Sequence, residues 1–162
     1  MVRKMGFPRF LRDTKTNKIH IWAFVGDDPA LLDMGSQRLI KALGLPVQKL
    51  TGKVNPMSVG HAMGELEMIT NQWVLVLDDV KKIDKLDFFN KMVVDTIGEN
   101  YLILIANEKV LEEVLEWVGT TGRVVNCDKI ESRKDLLDIL ERIFADANIR
   151  LASHAGQAVL NL

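Results

Sequence analysis

Counted from Gly26, a phosphate-binding loop of the form G-x-x-x-x-G-K-[ST] would place its second glycine, its lysine and its hydroxyl at positions 31, 32 and 33. This chain has Leu31, Leu32 and Asp33 there. In a working loop those residues let backbone amides approach the phosphates, neutralise them and hold magnesium. Asp27 and Asp28 oppose the same chemistry, because carboxylates beside a phosphate repel it. A second candidate is Leu75-Val-Leu-Asp-Asp79, an apolar run ending in acids, the shape in which nucleotide enzymes hold magnesium. Asn107, after a further apolar run, stands where a polar residue could sense a terminal phosphate. Each also has a structural reading, since acids and asparagine at strand ends cap helices and turns. Metal at Asp78 or Asp79 without the lysine and hydroxyl would lack the phosphate anchoring that ATP hydrolysis needs.

Other chemistry finds little support. His20, His61 and His154 are scattered without metal-ligand spacing, and one cysteine, Cys127, excludes both a disulfide framework and a thiolate-rich metal site. No Gly-x-Ser-x-Gly elbow occurs, and no Cys and His pair is placed for nucleophilic catalysis. We therefore expect no catalytic residue, no metal and no cofactor. The formal net charge of -1 argues against a protein that mainly coats nucleic acid. Local basic patches remain open: the first eighteen residues carry Arg3, Lys4, Arg9, Arg12, Lys15 and Lys18 against Asp13 alone. The lone cysteine and the lack of a secretory leader lead us to expect a reducing cytoplasm. No apolar run approaches the roughly 20 residues of a membrane helix, so a soluble protein is expected.

The elements that must position these residues follow from periodicity and punctuation. Part of the basic arm is apolar enough for a short helix before a turn at 14–17. Residues 19–25, rich in β-branched and aromatic side chains, predict a strand stopped by Gly26. Asp27 or Asp28 then caps a helix with Pro29 in its first turn, which ends at Gly44 and Pro46. A second strand is predicted over 47–50 and a helix from Met57 or Ser58 to about Glu67. Residues 73–77 and 101–106 are apolar throughout, as strands buried on both faces of a parallel sheet are. Between them a helix is predicted over 85–97, and after them a helix over 108–118 and an edge strand over 123–127. Beyond Asp128 the pattern is helical only, with Ser132 capping 133–147 and a last helix from Ser153. Val159, Leu160 and Leu162 leave that last helix with unburied apolar residues, so a longer chain or a covering subunit is expected.

Alternating strand and helix gives a three-layer α/β domain with a mostly parallel sheet. Within it, Glu67-Met-Ile-Thr-Asn71 stands out, because Met68 and Ile69 are bulky apolar residues in a segment leading from a helix to the central strand. They either pack under the helix end or meet a partner surface.

Gly26-Asp-Asp-Pro-Ala-Leu-Leu32, the order of elements, and Ile143-Phe-Ala-Asp-Ala-Asn-Ile149 with the Ala-bearing helix after it resemble the delta-subunit family of the bacterial DNA polymerase III clamp loader, including phage-borne versions. The resemblance covers about residues 7–162. It implies an AAA+/P-loop-like domain over 1–128 with a degenerate nucleotide loop, followed by part of an all-helical lid over 129–162. It also implies a non-catalytic replication subunit that opens a sliding clamp with an apolar wedge, leaving ATP hydrolysis to neighbouring subunits. By position the wedge is Met68 and Ile69, with Leu66 and Trp73 as possible neighbours. A Leu-Phe pair followed by a basic residue is the commoner family form, and Thr70, Asn71 and Gln72 stand where that residue would be. The implied partners are the sliding clamp and other loader subunits, with DNA contacted only indirectly or weakly, in a bacterial or phage-infected cytoplasm. Two rival readings follow from the residues alone: an AAA+ or related ATPase with a damaged first motif, and a receiver or flavodoxin-like regulatory domain with acids at its strand ends.

Overall fold

The structure, a computed structural model, describes residues 3–13, 16–52, 54–81, 83–107 and 112–146. The strands are β1 (Ile21–Val25), β2 (Val47–Thr51), β3 (Val74–Asp78), β4 (Tyr101–Ala106) and β5 (Arg123–Asn126). The helices are α1 (Phe7–Arg12), α2 (Pro29–Leu43), α3 (Pro56–Ile69), α4 (Leu86–Thr96), α5 (Glu112–Thr121) and α6 (Arg133–Asp146). The five strands form one sheet in the order β2-β3-β4-β1-β5, and every pairing is parallel.

Because side chains alternate along a strand, the apolar runs feed two cores. Ile21, Ala23 and Val25 of β1 face one side with Leu75, Leu77, Leu102 and Leu104, under α3, α4 and α5. Trp22 and Phe24 face the other with Val74, Val76 and Ile103, under α1, α2 and α6. These are the three layers expected. The helix after β1 therefore lies on one face and the helices after β2, β3 and β4 on the other. That places the β1–α2 turn at the switch point of the sheet, where ligands of open α/β folds bind beyond the strand ends.

Strand order also separates this chain from the receiver or flavodoxin-like reading. That fold runs 2-1-3-4-5, with β1 beside β3. Here β4 lies between β1 and β3. The receiver-like alternative is therefore excluded by topology.

Local signals explain most helix limits. Asp28 caps α2 by accepting from the Ala30 amide, and Gly44 ends it at φ 62 in the left-handed region that glycine tolerates. Asn55 opens α3 with a capping box: its side chain accepts from the Ser58 amide at 2.9 Å while the Ser58 hydroxyl accepts from the Asn55 amide. Nothing after Pro56 interrupts this helix until Thr70, whose extended backbone ends it. Met68 and Ile69 thus belong to its last turn, not to a loop after Glu67. Helix α5 runs on to Thr121, where the Thr120 and Thr121 hydroxyls both donate to the Trp117 carbonyl. Positions 108–111 of that predicted helix lie outside the described residues, as does the predicted helix from Ser153.

The basic arm is anchored. Phe7, Phe10 and Leu11 of α1 are buried, and Phe10 meets Trp22 and Phe24 edge-on with ring centres 5.6 and 5.2 Å apart. Met5 pairs with the outer edge of β5, its amide donating to Val124 and its carbonyl accepting from Asn126. This covers one exposed sheet edge, a common defence against unwanted strand pairing. Helix α6 lies on the same layer, with Ile139 buried among the α1 and α2 side chains and Arg12 3.8 Å from Asp138.

Candidate functional site

Gly26 sits at the C-terminal end of β1 for a reason other than phosphate. A Cβ there would lie 2.1 Å from the Cys127 carbonyl carbon and 2.4 Å from the Asp128 nitrogen. Only glycine lets the chain leaving β5 pass this close. Amides of the turn are already occupied, two of them by this crossing. The Gly26 amide donates to Ala106, that of Asp27 to the Asp128 carboxylate, that of Asp28 to Cys127, and that of Ala30 to the Asp28 carboxylate. Asp27 closes the lock by accepting from the Lys129 amide at 2.8 Å. Pro29 has no amide hydrogen to offer. Leu31 and Leu32, at the glycine and lysine positions, are buried in the core beneath α2.

Beside this turn lies a groove of about 170 Å³, lined among others by Asp33, Lys49, Asp78, Asp79 and Asn107. It collects every remaining residue of the degenerate motifs: Asp33 is exposed on α2, Asp78 and Asp79 end β3, and Asn107 is exposed at the end of β4. Lys49 on β2, which carries no motif in the sequence, reaches across to Asp78 with its Nζ 3.1 Å from the carboxylate. Three acids and one already paired lysine make this groove hostile to a polyphosphate. Asp79 adopts a left-handed backbone, φ 53, and its buried Oδ1 has no hydrogen-bond partner. Among the described residues no cluster of three or more His, Cys, Asp or Glu is placed to hold a metal. Cys127 is buried beside the turn; burial first, then the Asp128 and Asp28 carboxylates, push its thiol from 9.0 up to about 12.

The other candidate residues lie at the opposite end of the sheet, because α3 runs back toward the strand starts. Met68 is 86% and Ile69 76% exposed, whereas Leu66 is 2% exposed and Trp73 fully buried. Leu66 and Trp73 therefore reach no partner surface; they pack in the core below the exposed pair. The segment after α3 is held by its own bonds: Thr70 Oγ1 donates to the Gln72 carbonyl, Gln72 Nε2 to the Glu99 carbonyl, and the Trp73 amide to the Asn100 side chain. A helix end backed by the core thus displays two adjacent apolar side chains. The sequence indicates the pair but not its footing, since nothing after Glu67 marks the helix as running on to Ile69.

The parallel five-stranded sheet, helices on both faces and helix-opening turn at the switch point define a three-layer α/β domain. No family model matches the sequence, and no curated protein matches it. Among solved structures it is similar to the RuvB Holliday junction branch migration motor of Thermotoga maritima, at 12% identity and a TM-score of 0.48 over 93% of this chain and 52% of that one. A variant of the same RuvB matches at 14% identity and a TM-score of 0.46. The DnaC helicase loader matches at 12% identity and a TM-score of 0.39, over 74% of this chain and 85% of that one. The chain spans about half the length of the RuvB chains it matches. No helix among the described residues is long and apolar enough to cross a membrane.

Proposed function

We propose that this chain is a non-catalytic, delta-like subunit of a clamp loader, which binds a sliding clamp through Met68 and Ile69 and stabilises its open form. The observation that carries the reading is the exposure of these two residues side by side on a helix end whose neighbours are fixed in the core. The helical backbone matters because the pair's main chain is already ordered, so only side-chain freedom is lost on binding. Opening follows from differential affinity: the ring shifts toward the open state by as much as the subunit prefers that state, and by no more.

The occupied amides and acid-lined groove at the β1–α2 turn support assigning ATP to partner subunits. The rival ATPase reading has one feature in its favour, the unpartnered Asp79 Oδ1 at the end of β3. It requires calorimetric binding of ATP with magnesium, and our reading requires none. The site itself is tested by Met68→Ala combined with Ile69→Ala, read as affinity for an immobilised sliding clamp. Burying two such side chains is worth about 3 to 6 kcal/mol before costs, so a loss of roughly 100-fold or more is expected. Undiminished affinity would refute the assignment.

A further inference from the structure

The four cations Arg3, Lys4, Arg9 and Arg123 line one cleft of about 310 Å³ at the β5 edge of the sheet, with no acid among its lining residues. We propose that this cleft binds the phosphodiester backbone of a nucleic acid. The inference does not depend on the clamp-loader reading, since it stands on charge and geometry alone.

Sequence hides this grouping, because Arg123 is separated from the arm by more than a hundred positions and the chain as a whole is almost neutral. Folding brings them together through backbone pairing. The Met5 amide donates to Val124 at 2.7 Å and the Asn126 amide to Met5 at 2.8 Å, which fixes Arg3 and Lys4 beside the start of β5. Arg9 comes from α1, itself locked by Phe7, Phe10 and Leu11 in the core. Gly122 lets β5 begin in contact with β1, where a Cβ would lie 1.8 Å from the Ile21 oxygen.

All four side chains are exposed. Arg123 uses one N–H on the Gly122 carbonyl at 3.0 Å, which leaves the rest of its five-donor fork for a ligand. Like charges lining one cleft repel one another, and a polyanion relieves that repulsion while releasing its own counterions. An isolated phosphate engages one or two of the cations, whereas a nucleic-acid backbone presents a row of phosphates that all four can meet. The contacts are to backbone, so binding is sequence-independent.

The test is fluorescence anisotropy with labelled single-stranded and duplex DNA of unrelated sequences, at 50 and 200 mM salt. Four phosphate contacts predict that duplex affinity falls roughly 100-fold between those salt concentrations. Arg3→Glu, Lys4→Glu and Arg9→Glu together should abolish binding, while Lys91→Glu, on α4, should leave it unchanged. Circular dichroism checks that the triple variant is folded, and Arg3→Ala with Lys4→Ala, outside the buried packing of α1, should by itself lower the salt slope by about 2. No binding to either DNA at 50 mM salt would overturn the proposal. So would displacement of DNA by polyglutamate of equal charge as effectively as by unlabelled DNA, which would mark an acidic protein as the ligand.

Discussion

Gly26 carries the main lesson at the scale of single residues. Its place after an apolar strand invites a phosphate-loop reading, yet the contact that demands glycine is the Cys127–Asp128 backbone. Gly26→Ala must move that crossing and its hydrogen bonds, so we expect destabilisation of about 1 to 3 kcal/mol, measured as a lower urea midpoint. A midpoint equal to wild type would show that the crossing is loose. Cys127 tests the same packing chemically. With its thiol pushed up to about 12, it should resist thiol reagents at pH 8 in the folded protein and react on unfolding. The folded state holds this proton more tightly than the unfolded state. Its stabilising contribution is therefore complete below pH 9 and is lost as pH rises from 9 toward 12. Rapid native reactivity at pH 8 would contradict the burial.

Helix α3 combines residues that build the core with an exposed apolar pair at its end. Its Val59, Ala62, Met63 and Leu66 are buried against the sheet, while its last turn turns Met68 and Ile69 outward. Leu66→Ala should cost about 2 to 5 kcal/mol through the cavity it leaves. Met68→Ala should change stability by no more than about 0.5 kcal/mol. Denaturant curves on the two variants separate core from surface, and equal losses would refute the division.

The strands and most helix starts were legible because their signals are local: apolar runs, Asp28 with Pro29, Gly44, and Ser132, which accepts from the Asp135 amide. The end of α3 was less legible, since no Gly or Pro follows Glu67 and the helix continues to Ile69 before Thr70 ends it. The site was legible only in part. Asp78 and Asp79 could be read at a strand end, but Lys49 pairs with Asp78 across the β2–β3 register, and Asp128 closes on Asp27 from a hundred residues away. Such partners are set by strand order, which no local pattern encodes. The placement of Arg123 beside Arg3 and Lys4 was hidden for the same reason.

At the scale of the molecule, the two ends of the sheet have different characters. The strand C-termini hold the Gly26 turn, whose amides are occupied, and the acid-lined groove. The strand N-termini carry the exposed end of α3 before β3 and the basic cleft at the start of β5, three strands along in the sheet order. The exposed apolar pair and the basic cleft thus both lie at the end of the sheet away from the Gly26 turn. The central claim is that Met68 enters a partner's apolar pocket, and the protein contains its own control. Met57, at the other end of α3, is 84% exposed against 86% for Met68. Hydroxyl-radical oxidation, followed by mass spectrometry with and without excess sliding clamp, compares the two directly. Our account predicts that clamp slows Met68 oxidation at least fivefold and leaves Met57 unchanged, an estimate of about 80% burial at the contact. Equal oxidation of Met68 with and without clamp would contradict it.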